Sequence, residues 1–135
     1  MLKVRSPLTE AEERIVNRVI GCGIEVHRVL GPGFKEPIYA RAFSLQLDAC
    51  GLKFESEKPV EVRYKQWKIP GQRLDLIVEG IVIVELKAVP KVKALHRRQV
   101  VSYLRSTGLK VGLIMNFNVK VLKEGLARVV REPPK

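Results

Sequence analysis

The chain has 135 residues, of which 46% are hydrophobic and 29% charged, a composition typical of one folded globular domain over residues 1–135. Its two cysteines, Cys22 and Cys50, are too few for a disulfide scaffold, and we expect both to be buried thiols. The longest apolar run, Ile81 to Val84, is far too short to cross a membrane, and the first residues do not resemble a secretory signal, so we expect a cytoplasmic protein.

The positive charge is concentrated in the C-terminal part of the chain. Lysine and arginine number 25 against 14 aspartates and glutamates, a net charge of +11. The segment 87–135 holds 12 basic and 2 acidic residues, a net of +10, whereas the segment 1–86 holds 13 and 12, a net of +1. Such a field attracts polyanions, so it predicts a nucleic-acid partner, with a general solubility device as the alternative.

Two helices are predicted at the start of the chain. Thr9 and Glu12 have the spacing of a capping box at the first helix start. The apolar positions that follow at helical spacing, up to Leu30, are Ile15, Val19, Cys22, Val26 and Val29. After a Gly-Pro-Gly break at 31–33, a second helix is predicted from about Glu36 to Ala49, with Gly51 as its cap. Its predicted buried stripe is Ile38, Ala42, Leu45 and Ala49.

Strands and one further helix are predicted later in the chain. Val60–Tyr64 alternates apolar and polar residues, as a half-exposed strand should. The other predicted elements are strands Leu74–Val78, Ile81–Ala88, Val111–Phe117 and Leu126–Val130, a helix Ala94–Thr107 that ends at Gly108, and a frayed tail at 132–135. This order predicts an α/β fold with a mixed central sheet flanked by helices.

Three charged residues lie in segments that should be buried. Asp75 is in one predicted central strand, and Glu85 and Lys87 are in the next. Burial of a charge costs several kcal/mol unless it is paired or binds a metal, so a purely structural ion pair is the plain alternative to a functional site. Because side chains alternate along a strand, Glu85 and Lys87 share a face. Asp75 joins them if the turn has three residues, with Gly80 in the left-handed position.

Two carboxylates and an ammonium at one place predict a site for Mg²⁺ or Mn²⁺. The hard oxygen ligands would be Asp75, Glu85 and the backbone carbonyl of Leu86, which suit these ions better than zinc. Such a metal can polarise a phosphate and lower the pKa of a bound water. Lys87 could hold that water or neutralise the developing charge. On a basic protein, this site predicts hydrolysis of phosphodiester bonds.

Two further segments carry weaker signals. Glu36 lies in the first turn of the second helix, where it would either assist the site or merely complement the helix dipole. Gln99 and Tyr103 lie four residues apart on one helix face that could contact a nucleic-acid backbone, although Tyr103 could also belong to the core. The predicted nucleic-acid-binding residues are Gln99, Tyr103, Lys91, Lys93, Arg97, Arg98 and, with plain exposure as its alternative, His96.

In combination, Arg73-Leu-Asp75, Glu85-Leu-Lys87 and Gln99-x-x-x-Tyr103 resemble the PD-(D/E)XK nuclease superfamily, especially its RecB-like branch. The segment Gly33-x-x-Glu36-x-x-Tyr39 resembles the signature of the small GxxExxY family within that superfamily. The resemblance extends over roughly residues 15–130. It implies a restriction-endonuclease-like core and a Mg²⁺-dependent nuclease site.

The resemblance also implies roles for single residues. Asp75 and Glu85 would be metal ligands, Lys87 the catalytic lysine and Glu36 a helical acidic residue that assists the metal. Gln99 and Tyr103 would form the accessory motif. The sequence departs from the family pattern at Lys35 and Pro37, where the family often has apolar and small residues, which puts the geometry of the helix start in doubt.

We therefore predict a metal-dependent nuclease, with DNA favoured over RNA as its substrate and with no membrane partner. Two alternatives remain open at this point. One is a non-catalytic nucleic-acid-binding module with the same fold, and the other is a subunit whose basic half docks an acidic protein. A homodimer would let such a small nuclease cut both strands of a duplex, although nothing in the sequence requires one.

Overall fold

A computed structural model describes residues 6–131, so the tail expected at 132–135 lies outside the described residues. The elements in chain order are helices α1 (Glu10–Leu30) and α2 (Glu36–Ala49), strands β1 (Phe54–Tyr64), β2 (Trp67–Val78) and β3 (Val82–Lys87), helix α3 (Ala94–Thr107), strand β4 (Val111–Asn116), a short 3-10 helix (Leu122–Gly125) and strand β5 (Leu126–Val130). Within this part of the chain, none of the helices is long and apolar enough to cross a membrane.

The strands form one mixed sheet in the order β1-β2-β3-β4-β5. β3 and β4 run parallel and are joined by α3, whereas the other neighbouring strands are antiparallel. α1 and α2 pack on one face of the sheet and α3 packs on the other, giving two apolar clusters. β3 and β4 are covered on both faces, which explains their nearly continuous apolar sequences. The predicted α/β fold with a mixed, helix-flanked sheet is confirmed.

The predicted ends of α1 and α2 are confirmed, but the buried stripe of α2 is wrong. The Thr9 hydroxyl accepts from the Glu12 N–H at 3.1 Å, and the Glu12 carboxylate accepts from the Thr9 N–H at 2.8 Å, which completes the capping box. On α2 the buried residues are Tyr39, Phe43 and Leu47, whereas the expected Ile38 and Leu45 are about half exposed. The two aromatic rings bury more area than the aliphatic stripe, so they face the sheet.

Three smaller expectations near these helices are also wrong. Val29 is 65% exposed because the last turn of α1 buries Val26 and His27 instead. The C-cap of α2 is Cys50, and Gly51 follows it in the left-handed region at φ 72°. Cys50 is therefore exposed at a helix end, and of the two cysteines only Cys22 is buried.

The β1–β2 hairpin is much longer than the sequence predicts. The structure adds 54–59 to the first strand and 67–73 to the second. Among residues 6–131, β3 pairs with β2 only at 76–78, so the outer half of the hairpin extends beyond the central sheet. The added residues 54–59 and 67–73 are mostly exposed, so they lack the buried apolar face that marks a strand in a sequence. Pro59 is tolerated because β1 is an edge strand.

Candidate active site

Asp75 and Glu85 occupy facing positions where β2 and β3 separate. The last paired residues before them are Leu76 and Val84, one position further into the ladder. The strands are joined by the three residues 79–81, as expected for a turn that keeps both carboxylates in register. Glu79 and Gly80 have φ angles of 54° and 65°, the left-handed region that such a turn uses.

Each of the two carboxylates binds the backbone of the opposite strand. The Asp75 N–H donates to Glu85 Oε1 at 3.0 Å, and the Leu86 N–H donates to Asp75 Oδ2 at 2.9 Å. These side chains replace the backbone ladder beyond the last paired residues. The two strands can therefore diverge without leaving these N–H groups unpaired.

The Glu85 carboxyl is buried next to a second carboxylate, that of Asp75. Burial raises the pKa of Glu85 to about 7, and the neighbouring Asp75 carboxylate adds to the rise, while the Asp75 N–H and the Lys87 ammonium oppose it. Glu85 is 4% exposed, so water screens this repulsion weakly. A divalent cation beside these oxygens would relieve both the repulsion and the desolvation of the charge.

The end of β3 directs two further groups to the carboxylates. Lys87 shares a strand face with Glu85, and its ammonium is near enough to lower the pKa of that carboxyl. The Lys87 carbonyl accepts from the Phe117 N–H at 2.9 Å, so it points toward β4. Because carbonyls alternate sides along a strand, the Leu86 carbonyl points the opposite way, toward Asp75.

Asn116 fixes the chain behind Lys87, a role not predicted from the sequence. Its Oδ1 accepts from the Val89 N–H at 3.0 Å, and its Nδ2 donates to the Val89 carbonyl at 2.9 Å. Asn116 is 2% exposed. In the sequence, Asn116 is the single polar residue at the end of an otherwise apolar strand. Because a buried amide needs hydrogen-bond partners, this position could have indicated a structural role.

Glu36 lines the same cavity as Asp75 but stands apart from the carboxylate pair. The cavity has a volume of about 410 Å³, and its lining residues are Glu36, Pro37, Ala40, Arg41, Ser44, Ser56, Glu57, Asp75, Leu76 and Leu86. Among the described residues, no three His, Cys, Asp or Glu side chains form a cluster that could hold a metal ion. The structure thus brings Asp75, Glu85, Lys87 and the Leu86 carbonyl together, and places Glu36 on the cavity wall.

The loop before α2 is held by Tyr39. Its hydroxyl donates to the Gly31 carbonyl at 2.6 Å and accepts from the Phe34 N–H at 3.1 Å. Its ring stacks on Phe117 with 4.5 Å between the centroids. Gly33 has a φ of 112°, where a side chain would be strained. Since α2 begins at residue 36 and a proline suits its first turn, the doubt about the helix start is removed.

Tyr103 lies in the core, which was the alternative to a nucleic-acid contact. It is 2% exposed, and its hydroxyl donates to the Arg73 carbonyl at 3.1 Å and accepts from the Gln72 amide at 2.6 Å. Tyr103 therefore positions the segment of β2 that leads to Asp75. Gln99 is only partly buried and lines a second cavity beside Tyr103.

The predicted basic residues surround the start of α3. Lys91, Lys93, Arg97 and Arg98 are all exposed. The positive end of the helix dipole adds to their charge, so phosphate groups are favoured here. His96 differs, because its Nδ1 accepts from the Lys93 N–H at 3.0 Å and caps the helix. Only its other ring nitrogen remains available for a phosphate.

Comparison with known proteins identifies the family. A model of the PD-(D/E)XK nuclease superfamily matches residues 13–129. The chain belongs to the PD-(D/E)XK nuclease superfamily. A search of curated proteins finds no match. Membership in the PD-(D/E)XK superfamily suggests nuclease activity and implies nucleic-acid binding. Nucleases of this superfamily are generally metal-dependent and typically use divalent ions such as Mg²⁺ or Mn²⁺.

The fold also resembles a solved structure. The crystal structure of SSO0001 matches with a TM-score of 0.50 and 21% sequence identity. The match covers 73% of the present chain and 50% of the SSO0001 chain. The present chain therefore spans about half the length of SSO0001. At this identity the likeness supports the fold alone.

Proposed function

We propose that the protein is a Mg²⁺- or Mn²⁺-dependent nuclease that hydrolyses phosphodiester bonds, with DNA favoured over RNA. The observation that carries the proposal is the pairing of Asp75 with Glu85 at the divergence of β2 and β3, beside Lys87. Superfamily membership supports the same reaction class. The finer assignment to the GxxExxY family of the RecB-like branch rests on the spacing of Gly33, Glu36 and Tyr39.

The groups at this site fit a hard divalent cation. Two carboxylates, Asp75 and Glu85, and the Leu86 carbonyl are oxygen donors, which Mg²⁺ and Mn²⁺ prefer. Glu36 lines the same cavity and would add a further oxygen only by moving toward the carboxylate pair. When bound, the cation would polarise the scissile phosphate and lower the pKa of a water.

Asp75, Glu85 and Lys87 have separate roles in the proposed reaction. Asp75 and Glu85 must both be ionised to bind the cation. Because the pKa of Glu85 is raised to about 7, the affinity for the cation should increase as the pH rises past this value. Lys87 orients the attacking water or stabilises the negative charge that grows on the phosphate. Water adds to phosphorus, the bond to one bridging oxygen breaks, and that oxygen leaves with a proton.

The basic residues at the start of α3 would bind the backbone. Lys91 and Lys93 follow Lys87 by four and six residues, in the segment that leads from β3 to α3, and would bind phosphates of the strand that reaches the carboxylate pair. Neutralising several phosphates would make binding depend steeply on salt.

The site argues against the two alternatives. A non-catalytic binding module has no use for a buried Glu85 and a half-buried Asp75 beside a polyanion, because the two carboxylates repel phosphate unless a cation lies between them. A subunit that docks an acidic protein meets the same objection. A homodimer would serve duplex cleavage, and each protomer would then contribute one such site.

Substrate cleavage in the presence and absence of metal tests this proposal. Labelled single-stranded and duplex DNA and RNA are incubated with the protein in Mg²⁺, in Mn²⁺ and in EDTA, beside the matched Asp75→Asn variant. We expect metal-dependent cleavage of at least one DNA substrate, which the variant loses. Binding without cleavage on every substrate and with either metal would favour the binding-module alternative.

A further inference from the structure

We propose that the tip of the β1–β2 hairpin, residues 61–69, stacks on an unpaired base of the bound nucleic acid. The inference rests on the proposed function, because it assigns a second contact on the same substrate. The hairpin tip lies outside the carboxylate site and outside the basic start of α3.

The tip presents an exposed pair of aromatic rings. Tyr64 and Trp67 are cross-strand partners on either side of the turn. They are 57% and 54% exposed, and their rings stack with 6.2 Å between the centroids and 18° between the planes. Exposed flat rings offer a surface on which any base can stack.

The apolar face of the tip continues into the groove beside α3. Val62 and Ile69 are the next cross-strand pair, and they are 37% and 49% exposed. Pairs two residues apart along a hairpin share a face, so the aromatic pair and this aliphatic pair form one surface. Val62 also lines a cavity of about 300 Å³ together with Gln99 of α3. The surface therefore borders the helix whose start carries the basic residues.

The charge around the rings favours a nucleic acid over a second copy of this chain. The tip carries Arg63, Lys65 and Lys68 against one acidic residue, Glu61. Arg63 and Lys68 lie on the face opposite the rings, where they pair with Glu61 at 2.7 and 3.9 Å, so the tip keeps a net positive charge. The Lys65 Nζ lies 5.4 Å from the centroid of the Tyr64 ring, which places a cation beside the stacking surface. A second copy would bring an equally basic tip and another net charge of +11. A polyanion with exposed bases complements both the rings and the cations.

The length of β2 sets the distance between the hairpin tip and the carboxylate pair. Trp67 precedes Asp75 by eight residues along β2, which at a strand rise of about 3.3 Å is roughly 25 Å. A strand cleaved at the carboxylate pair would reach the tip only if it extends several nucleotides beyond the scissile bond, and at most about seven at the duplex rise of 3.4 Å.

The fluorescence of Trp67 tests the contact directly, because it is the only tryptophan of the chain. The full chain in EDTA, where cleavage is suppressed, is titrated with oligodeoxythymidylates of 4 to 20 nucleotides and with a blunt duplex. We expect saturable quenching by the longer single strands and weaker quenching by the duplex. Trp67→Ala should weaken binding of the longer strands by roughly 5- to 100-fold, which is the size expected for losing one stacked base.

Matched variants separate stacking from other effects. Trp67→Phe keeps a ring and should retain most of the affinity. Leu45→Ala removes an equally exposed apolar side chain from α2, and it should bind like the wild type. The affinity difference between wild type and Trp67→Ala should be smaller on oligonucleotides of four nucleotides, which are too short to contact the tip and the carboxylate pair at the same time.

The possible failures are distinguishable. If the wild type binds and cleaves while Trp67 stays unquenched and Trp67→Ala binds equally well, the stacking proposal is overturned and the proposed function stands. If Trp67→Ala only converts a dimer to a monomer, the face is a contact between copies and the stacking proposal is again wrong. If no nucleic acid binds or is cleaved under any condition, both proposals fall together.

Discussion

The backbone N–H of Asp75 donates to the Glu85 carboxylate at 3.0 Å, directly across from it on the neighbouring strand. The side chain of Asp75 makes the reciprocal kind of contact, with the N–H of Leu86 at 2.9 Å. The two acids thus fix one another's strands while their charges repel. The backbone contacts of Asp75 and Glu85 and the repulsion between their carboxylates should therefore affect stability, metal binding and turnover.

Glu85→Gln should stabilise the metal-free protein at high pH. Since the pKa of Glu85 is raised to about 7 in the fold from an ordinary 4.5, mainly by burial, the folded state holds a proton that the unfolded state has released between these values. Stability from this group is therefore lost as pH rises from about 4.5 to 7, and the loss persists above that. In EDTA the variant should gain on the order of 3 kcal/mol at pH 8 and little at pH 4.5.

Urea unfolding of both proteins across that pH range measures this difference. Glu10→Gln, an exposed change on α1, serves as the control and should follow the wild-type profile. Parallel profiles for wild type and Glu85→Gln would show that the Glu85 carboxyl is not destabilised in the fold.

Asp75→Asn should leave the fold intact, and in EDTA at pH 8 it should unfold at a higher urea concentration than the wild type. The variant removes one of the two like charges but keeps an oxygen that can accept from the Leu86 N–H. Circular dichroism checks the fold, and urea midpoints check the stability. A strongly destabilised variant would mean that the Asp75 charge stabilises the structure and is not merely tolerated for function.

Lys87→Ala should separate metal binding from turnover. The carboxylates and the Leu86 carbonyl remain, so Mn²⁺ should still bind, but the water and phosphate lose their neighbouring cation. Turnover should fall by roughly 10²- to 10³-fold, the size typical of losing one electrostatic stabiliser. Single-turnover cleavage at saturating Mn²⁺ measures this effect, and Lys87→Arg, which keeps a positive charge there, should recover part of the rate. A rate unchanged in Lys87→Ala would exclude a catalytic role for Lys87.

Reversal of Arg97 and Arg98 to Glu should weaken nucleic-acid binding and flatten its salt dependence. Both side chains are exposed in the first turns of α3. For every phosphate that the variant no longer neutralises, the slope of log K against log salt should fall by about 0.9 on a duplex. A double variant of equal charge change, Arg14→Glu with Lys120→Glu, is the control, since both of its residues are exposed on other elements. Equal slopes for the two double variants would place the binding face elsewhere.

Tyr103→Phe should lower stability without changing the affinity for nucleic acid. The variant keeps the buried ring and loses the hydroxyl bonds to the Arg73 carbonyl and the Gln72 amide. The expected cost is about 1 kcal/mol, as is usual for a buried hydrogen bond. Filter-binding affinities, measured beside urea unfolding, would reveal a direct phosphate contact as weaker nucleic-acid binding by the folded variant.

The central strands and α3 could be predicted from the sequence because their signals are local. A dense run of Val, Ile and Leu marks β3, and Gly108 ends α3 in the left-handed region at φ 76°. Charged residues inside such a run marked Asp75, Glu85 and Lys87 as candidates. Residues 54–59 of β1 and 67–73 of β2 could not be predicted, because most of them are exposed and Pro59 and Pro70 interrupt the strand pattern.

Other parts of the site depend on contacts between distant segments. Asn116 bonds Val89 from 27 positions away, and Tyr103 bonds Arg73 from 30 positions away. Neither partner follows from spacing or periodicity. The sequence therefore predicts which residues carry charge at the site, but not which residues hold its strands in place.

Calorimetric titration of Mn²⁺ into the wild type and Asp75→Asn, at pH 8 and without nucleic acid, tests the proposed metal site most directly. We expect saturable binding by the wild type that Asp75→Asn loses, and metal-dependent cleavage of DNA by the wild type alone at the same Mn²⁺ concentrations. Equal Mn²⁺ binding by the two proteins would contradict the assignment of Asp75 and Glu85 as the metal site.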